Sequence, residues 1–219
     1  MDTKKLLTIT RLGKQEKEEP KVIEKSQYRI DVQKKIEKLE KEGKFDIDVE
    51  NDPPTIVLTP ENIDYLRSKM TSKLKRIFAN EVGERFLDNL LRNNKLIIKN
   101  INGLENLNKV KTGAIITCNH FNPFDCFTVE KVFRMCENEK DKRLYKVIRE
   151  GNYTNFPGLY GFFFRNCDTL PLSSNKRTMV NFIKAVDTIL QGGDYILIYP
   201  EQSMWWNYKK PKPLKDGAF

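Results

Sequence analysis

The chain has 219 residues, 39% of them hydrophobic and 32% of them Asp, Glu, Lys or Arg, with a formal net charge of +9. That suits one α/β domain with a real core plus a small appendage, and it points to an anionic partner: nucleic acid, an anionic lipid surface or a phosphorylated substrate. No run approaches the roughly 18–20 apolar residues needed to span a bilayer. The opening Met1-Asp2-Thr3-Lys4-Lys5-Leu6-Leu7 lacks the apolar stretch of a signal peptide, and Cys118, Cys126, Cys136 and Cys167 suit reduced thiols better than a disulfide framework. The expected location is therefore intracellular.

Residues 1–27 are rich in Lys and Glu and read as a solvated arm. Residues 28–43 read as a short charged helix stopped near Gly43. Residues 44–58 form a linker through Asp52-Pro53-Pro54 into an extended Thr55-Ile56-Val57-Leu58. Thr59-Pro60-Glu61 then sets a helix N-terminus. Ile63, Leu66, Met70, Leu74, Ile77, Phe78, Val82, Phe86, Leu87, Leu90 and Leu91 follow, mostly three or four apart, as one apolar stripe. The early polar face carries Arg67, Lys69, Lys73, Lys75 and Arg76, with no acid between Asp64 and Glu81. Such a helix packs its stripe on the main domain, or rests on anionic lipid, or does both.

From residue 95 the pattern alternates between strand and helix. Strands are predicted at 96–100, 113–118, 144–148, 168–172 and 195–199. Helices are predicted at 123–136, starting at the proline, and at 175–190, ended by Gly192-Gly193, with a short apolar helix or turn at 158–164. This alternation implies an α/β domain with substantial parallel pairing. The expected divisions are 1–58 (arm and short helix), 59–93 (amphipathic helical region) and 94–219 (α/β domain).

The single histidine, His120, lies in Asn119-His120-Phe121-Asn122-Pro123-Phe124-Asp125. Histidine takes and returns a proton near neutral pH. A tight turn at Asn122-Pro123 would bring Asp125 back to fix its tautomer and stabilise its cation. In open α/β sheets, sites form beyond the carboxyl ends of the strands. His120 follows one buried strand and Pro200-Glu201-Gln202 another, so parallel strands would open both onto one edge. Ser173-Ser174-Asn175-Lys176-Arg177 follows a third strand with hydroxyls, an N-cap and two cations, a set suited to a phosphate.

With these residues in place, the chain resembles the glycerolipid acyltransferases, in particular the 1-acylglycerol-3-phosphate (lysophosphatidic acid) acyltransferases. Asn119-His120-x4-Asp125 is similar to their first signature and Tyr199-Pro200-Glu201 to their Phe-Pro-Glu-Gly block. The stretch 161–172 is similar to the glycine-led hydrophobic stretch before their second block, and Lys215-x-Gly217-Ala218-Phe219 to the segment after the third. The resemblance implies a mixed sheet flanked by helices with an N-terminal helical region. It also implies an O-acyltransferase in which His120 is the general base and Asp125 orients it. Asn119, Ser174, Lys176, Arg177, Pro200, Glu201 and Gln202 would bind substrate, with Asn119 or a nearby N–H stabilising the oxyanion. Acyl-CoA, acyl carrier protein or acyl phosphate would be the donor, a lysophospholipid the acceptor, and no cofactor or metal is expected. The expected place of work is an anionic membrane surface on the cytoplasmic side. Three departures stand out. Gln202 replaces a glycine, Met204 replaces an arginine, and Ser174 falls at or near the second block's arginine. Relatives continue past the position of Phe219, so a C-terminal truncation is expected.

Other readings are kept beside this one. A degenerate member of the same fold would bind lipid or acyl carrier without turnover. Cys118, His120, Asp125 and Cys126 match no zinc spacing, and the cysteines read as small hydrophobes rather than nucleophiles. Nucleic acid is suggested by charge alone, without a matching motif. Phe162-Phe163-Phe164 and Trp205-Trp206 are either core or a membrane-contacting rim. Lys209, Lys210, Lys212 and Lys215 are either a solvated run or a site for phosphate or headgroups.

Overall fold

The structure is a computed structural model that describes residues 27–50, 54–136 and 141–218, so the N-terminal arm expected at 1–27 lies almost wholly outside the described residues. Four strands, β1 (Ala114–Thr117), β2 (Leu144–Ile148), β3 (Thr169–Pro171) and β4 (Tyr195–Ile198), form one sheet in the order β1-β4-β2-β3. All three pairings are parallel, with Ala114 opposite Tyr195, Leu144 opposite Tyr195 and Lys146 opposite Thr169. Parallel neighbours need crossovers, and helices supply them. These are α4 (Asp125–Arg134), α5 (Glu150–Asn155), α6 (Gly158–Asn166) and α7 (Lys176–Gln191). Ahead of the sheet come α1 (Gln27–Lys41), α2 (Met70–Arg92) and the single turn α3 (Leu104–Leu107).

Strand side chains alternate between faces. Ile196, Tyr145 and Leu170 therefore face Phe182, Ala185 and Ile189 of α7, while Tyr195, Leu197 and Leu144 face Phe133 of α4. Burial on both faces explains why residues 195–198 read as an unbroken apolar run. Helix α7 starts where predicted because the Asn175 side chain accepts from the N–H groups of Arg177 and Thr178. Gly193, at φ 83, ends it.

Two predicted elements change. No strand forms at 96–100. The N–H groups of Lys95 and Leu96 bond back to the Leu90 carbonyl, and Leu96 packs beside Leu90 and Phe124. The helix expected from Pro60 begins at Met70. Tertiary contacts hold the intervening segment in turns. Tyr65 is buried against Phe182 and donates to the Pro171 carbonyl at 2.9 Å. Buried Arg67, at φ 53, donates to the Arg165 carbonyl at 2.8 Å.

The buried face of α2 also differs from the predicted stripe. Ala79, Gly83, Leu87 and Leu90 are buried. Small residues at 79 and 83 let α6 approach closely, so that a Cβ at Gly83 would meet Cys167 and Phe163. Met70, Leu74, Ile77 and Phe78 are left at 55–69% exposure. Among the described residues, no helix is long and apolar enough to cross a membrane.

The N-terminal helix α1 does not touch the sheet's core clusters. Its Val32, Ile36 and Leu39 pack with Phe45 and Val49 against Trp205 and Tyr208. A strap, residues 44–50, therefore lies against the loop that follows β4.

Candidate functional site

The chain leaves β1 through Cys118, whose N–H donates to the Ile198 carbonyl of β4 at 3.2 Å. The turn predicted at Asn122-Pro123 forms. The Asn122 side chain accepts from the Phe124 N–H at 2.9 Å, and its carbonyl accepts from the Asp125 N–H at 3.1 Å. Asp125 is thus folded back as the first residue of α4. Its Oδ2 accepts from the N–H groups of Phe121 and Asn122, both at 2.9 Å, and lies 3.1 Å from His120 Nδ1. A carboxylate only accepts, so the contact uses Nδ1–H and leaves the Nε2 lone pair free to take a proton. The His120 side chain is 24% exposed and that of Asp125 10%. The imidazole lies flat on the Tyr199 ring, with centroids 4.1 Å apart. Burial pushes the Tyr199 phenol far above its ordinary pKa, with Cys126, Asp125 and Cys118 adding to it. Its oxygen finds no hydrogen-bond partner among the described residues.

Beyond β4, Glu201 is buried, and its Oε1 accepts from Asn119 Nδ2 at 3.2 Å and from the Lys212 N–H at 3.3 Å. The Pro200 carbonyl accepts from the Lys215 N–H at 3.0 Å, and the Phe121 carbonyl from the Asn207 N–H at 2.9 Å. Two segments eighty residues apart are thereby joined at one sheet edge. Gln202, where the resemblance leads one to expect glycine, sits at φ 59. The backbone keeps the left-handed turn a glycine favours, and the side chain is exposed.

The segment 174–177 is not brought against His120. It follows β3, with β2 and β4 lying between that strand and β1. The N–H and hydroxyl of Ser174 bond to Glu150 Oε2 at 3.2 and 3.1 Å, and Ser173 Oγ to Oε1 at 2.6 Å. Burial raises the Glu150 pKa, but the hydrogen bonds from Ser173, Leu58 and Ser174 outweigh it and leave the carboxyl below its usual range. Lys176 and Arg177 are exposed at the start of α7.

Sequence reasoning missed Arg149 and Glu150, although they follow a predicted strand just as His120 and Glu201 do. It also left the lysine run 209–215 open, and there Lys209 is exposed. Lys210 pairs with Glu40 and Lys215 with Asp46. Lys212 is 3% exposed, and its ammonium donates to the carbonyl of Ser203 and, at 2.7 Å, to its hydroxyl. Trp205 and Trp206 are core rather than rim. Of the phenylalanine run, Phe163 is buried and Phe162 and Phe164 are half-buried.

Burial holds the Lys212 pKa down at about 8; Glu201, Asp48 and Asp46 oppose that and Arg149 adds to it. The unfolded chain has its lysines near about 10.4. The burial penalty is therefore fully present below pH 8 and relieved as pH rises from about 8 to about 10. Thermal melts across this window should show wild type gaining stability relative to Lys212→Met. A constant difference would mean that the ammonium is not desolvated.

Burial raises the thiols. Cys118 reaches about 11, with the charges of Asp125 and Glu201 contributing, Cys126 about 11 and Cys167 about 12. They are protonated at neutral pH, which disfavours a thiolate nucleophile. Among the described residues, no three His, Cys, Asp or Glu side chains gather to hold a metal ion.

The acyltransferase family's model matches residues 99–219, more than half of the chain. No curated protein and no solved structure matches.

Proposed function

The chain belongs to the acyltransferase family, and from that premise we propose that it moves a fatty acyl group from a thioester or acyl-phosphate donor to the hydroxyl of a lysophosphatidate-like glycerolipid. The observation that carries this reading is the His120–Asp125 pair beyond β1, with the adjoining Asn119 donating to Glu201 beyond β4. His120 Nε2 takes the hydroxyl proton as the oxygen attacks the acyl carbonyl. Asp125 stabilises the imidazolium that forms. The tetrahedral oxyanion then collapses, expelling the thiol or phosphate, which recovers the proton from His120. No acyl-enzyme is needed. Asn119 has a second amide hydrogen to offer the oxyanion.

The acceptor and product are lipids, so the chain would work at a membrane. The exposed Met70, Leu74, Ile77 and Phe78 lie on the first turns of α2. Exposed Lys69, Lys73 and Lys75 are interleaved with them. An apolar face edged by cations suits an anionic, cytoplasmic leaflet, on which the protein would sit peripherally. Burying one such side chain contributes about 1.5–3 kcal/mol. The double variant Leu74→Ser/Phe78→Ser should therefore bind anionic vesicles at least tenfold more weakly in co-sedimentation. Unchanged binding would place the contact elsewhere.

The proposed reaction is tested by offering the protein lysophospholipids with acyl-CoA or acyl carrier protein donors and following diacyl product by mass spectrometry. Product from a defined acceptor supports the reading. Binding of lipid or acyl carrier with no product from any pair would favour the non-catalytic member of the fold.

A further inference from the structure

The sheet edge that holds His120 and Glu201 needs a cation for an acceptor's phosphate, and the residues expected to provide one do not. Ser174 and Met204 are uncharged. Lys176 and Arg177 follow β3, three strand spacings from β1 or about 14 Å.

Arg149 is placed differently. It directly follows β2, which is hydrogen-bonded to β4, so its strand end lies two spacings, about 10 Å, from that of β1. Its guanidinium leans toward the β4 loop, with Nη2 donating to the carbonyl of Gln202 at 3.2 Å, one residue after Glu201. A small hydroxyl-bearing phosphate ester, hydrogen-bonded at both ends, has about this reach. The guanidinium fork already holds an anionic group. Arg149 Nη1 donates to Asp48 Oδ2 at 2.7 Å and Nη2 to Oδ1 at 2.6 Å. This planar two-point contact is also how arginine recognises phosphate.

Asp48 comes from the strap that lies against the β4 loop. The Ile47 carbonyl accepts from Trp205 Nε1 at 3.0 Å, and the Phe45 carbonyl from Ser203 Oγ at 3.3 Å. The backbone anchors are thus separate from the carboxylate, which can swing away without the strap moving. The Arg149 and Asp48 side chains are 34% and 38% exposed. An ion pair so open to water is weak and exchangeable, whereas a phosphate dianion brings more charge and a third acceptor oxygen.

We propose that Arg149 receives the phosphate of the acceptor and that Asp48 is its intramolecular stand-in, a carboxylate the substrate must displace. The inference rests on the acyltransferase reading for the identity of the ligand, but its test needs no turnover. Binding of sn-glycerol 3-phosphate to the full chain would be measured by calorimetry, with glycerol and inorganic phosphate as comparators. Wild type should bind the phosphate ester and not glycerol. Arg149→Gln should weaken binding tenfold or more, Arg149→Lys less, and Asp48→Asn should tighten it about fivefold. Should Arg149→Gln fail to fold, Asp48→Asn and Arg149→Lys still decide the matter. Full binding by Arg149→Gln, with loss in Lys176→Gln/Arg177→Gln, would overturn the proposal by assigning the anion to the end of β3. Equal affinity for inorganic phosphate would overturn the assignment to an acceptor ester. Arg149-dependent binding without any acyl transfer would sink the catalytic reading alone, and turnover with Arg149-independent binding would sink this one alone.

Discussion

His120→Ala should lower acyl transfer by about 10²–10⁴, the usual contribution of a positioned general base, while the chain stays folded. Both halves follow from the contacts of one side chain. The imidazole is the only one in the chain, and with Nδ1 facing Asp125 its Nε2 is the lone pair offered to the hydroxyl proton. Its loss does not undo the loop, because Asp125 Oδ2 keeps the N–H groups of Phe121 and Asn122. The Asn122 turn is untouched as well. Asp125→Asn should behave differently. It keeps an oxygen for one set of contacts but loses the charge that stabilises the imidazolium and holds the turn. Rate and melting temperature should therefore both fall, the rate less than in His120→Ala. Product formation by mass spectrometry and thermal melts by circular dichroism check all three proteins. Equal turnover by wild type and His120→Ala would make the histidine structural and end the mechanism.

The parts of this site that could be read in the sequence are those encoded locally. β4 announces itself because both of its faces are buried, so four apolar residues run together. The Asn122-Pro123 turn is written in its own residue types, and Asp125 follows at the distance that lets it return to His120. Gln202 shows a limit of residue types. Its identity reads as a departure, yet its backbone retains the left-handed turn. What could not be read depends on partners distant in sequence. The start of α2 is set by Tyr65 and Arg67 reaching residues about a hundred positions away. The lysines after β4 look solvated until the strap is packed beside them. Lys212 is then buried and Lys215 is paired with Asp46. The exposed apolar turns of α2 follow from the small residues Ala79 and Gly83, which select a buried face other than the most apolar one.

Trp205→Ala is expected to be the most damaging single substitution for stability, at about 3–5 kcal/mol. Trp205 is fully buried at the centre of the cluster that joins α1 and the strap to the loop carrying Glu201. It stacks on Phe45, meets Tyr208 edge-on, and lies 5.2 Å from the Lys212 ammonium. Its Nε1 is the donor for the Ile47 carbonyl. Truncation leaves a large cavity and an unpartnered carbonyl together. This cluster shares no buried residue with those on the two faces of the sheet. The loss should therefore be local. Residues 27–50 should exchange their amide hydrogens faster while β2 and β4 remain protected. Trp205→Phe restores the ring packing without the donor and should recover all but about 1 kcal/mol. Glu201 is fixed by the Lys212 N–H within the same loop, so turnover should fall along with the local protection even though His120 and Asp125 are untouched. A uniform rise in exchange across the sheet and α1 would instead show that the appendage and the α/β domain unfold as one unit. Glu201 would then owe its position to the whole fold rather than to the packing around Trp205.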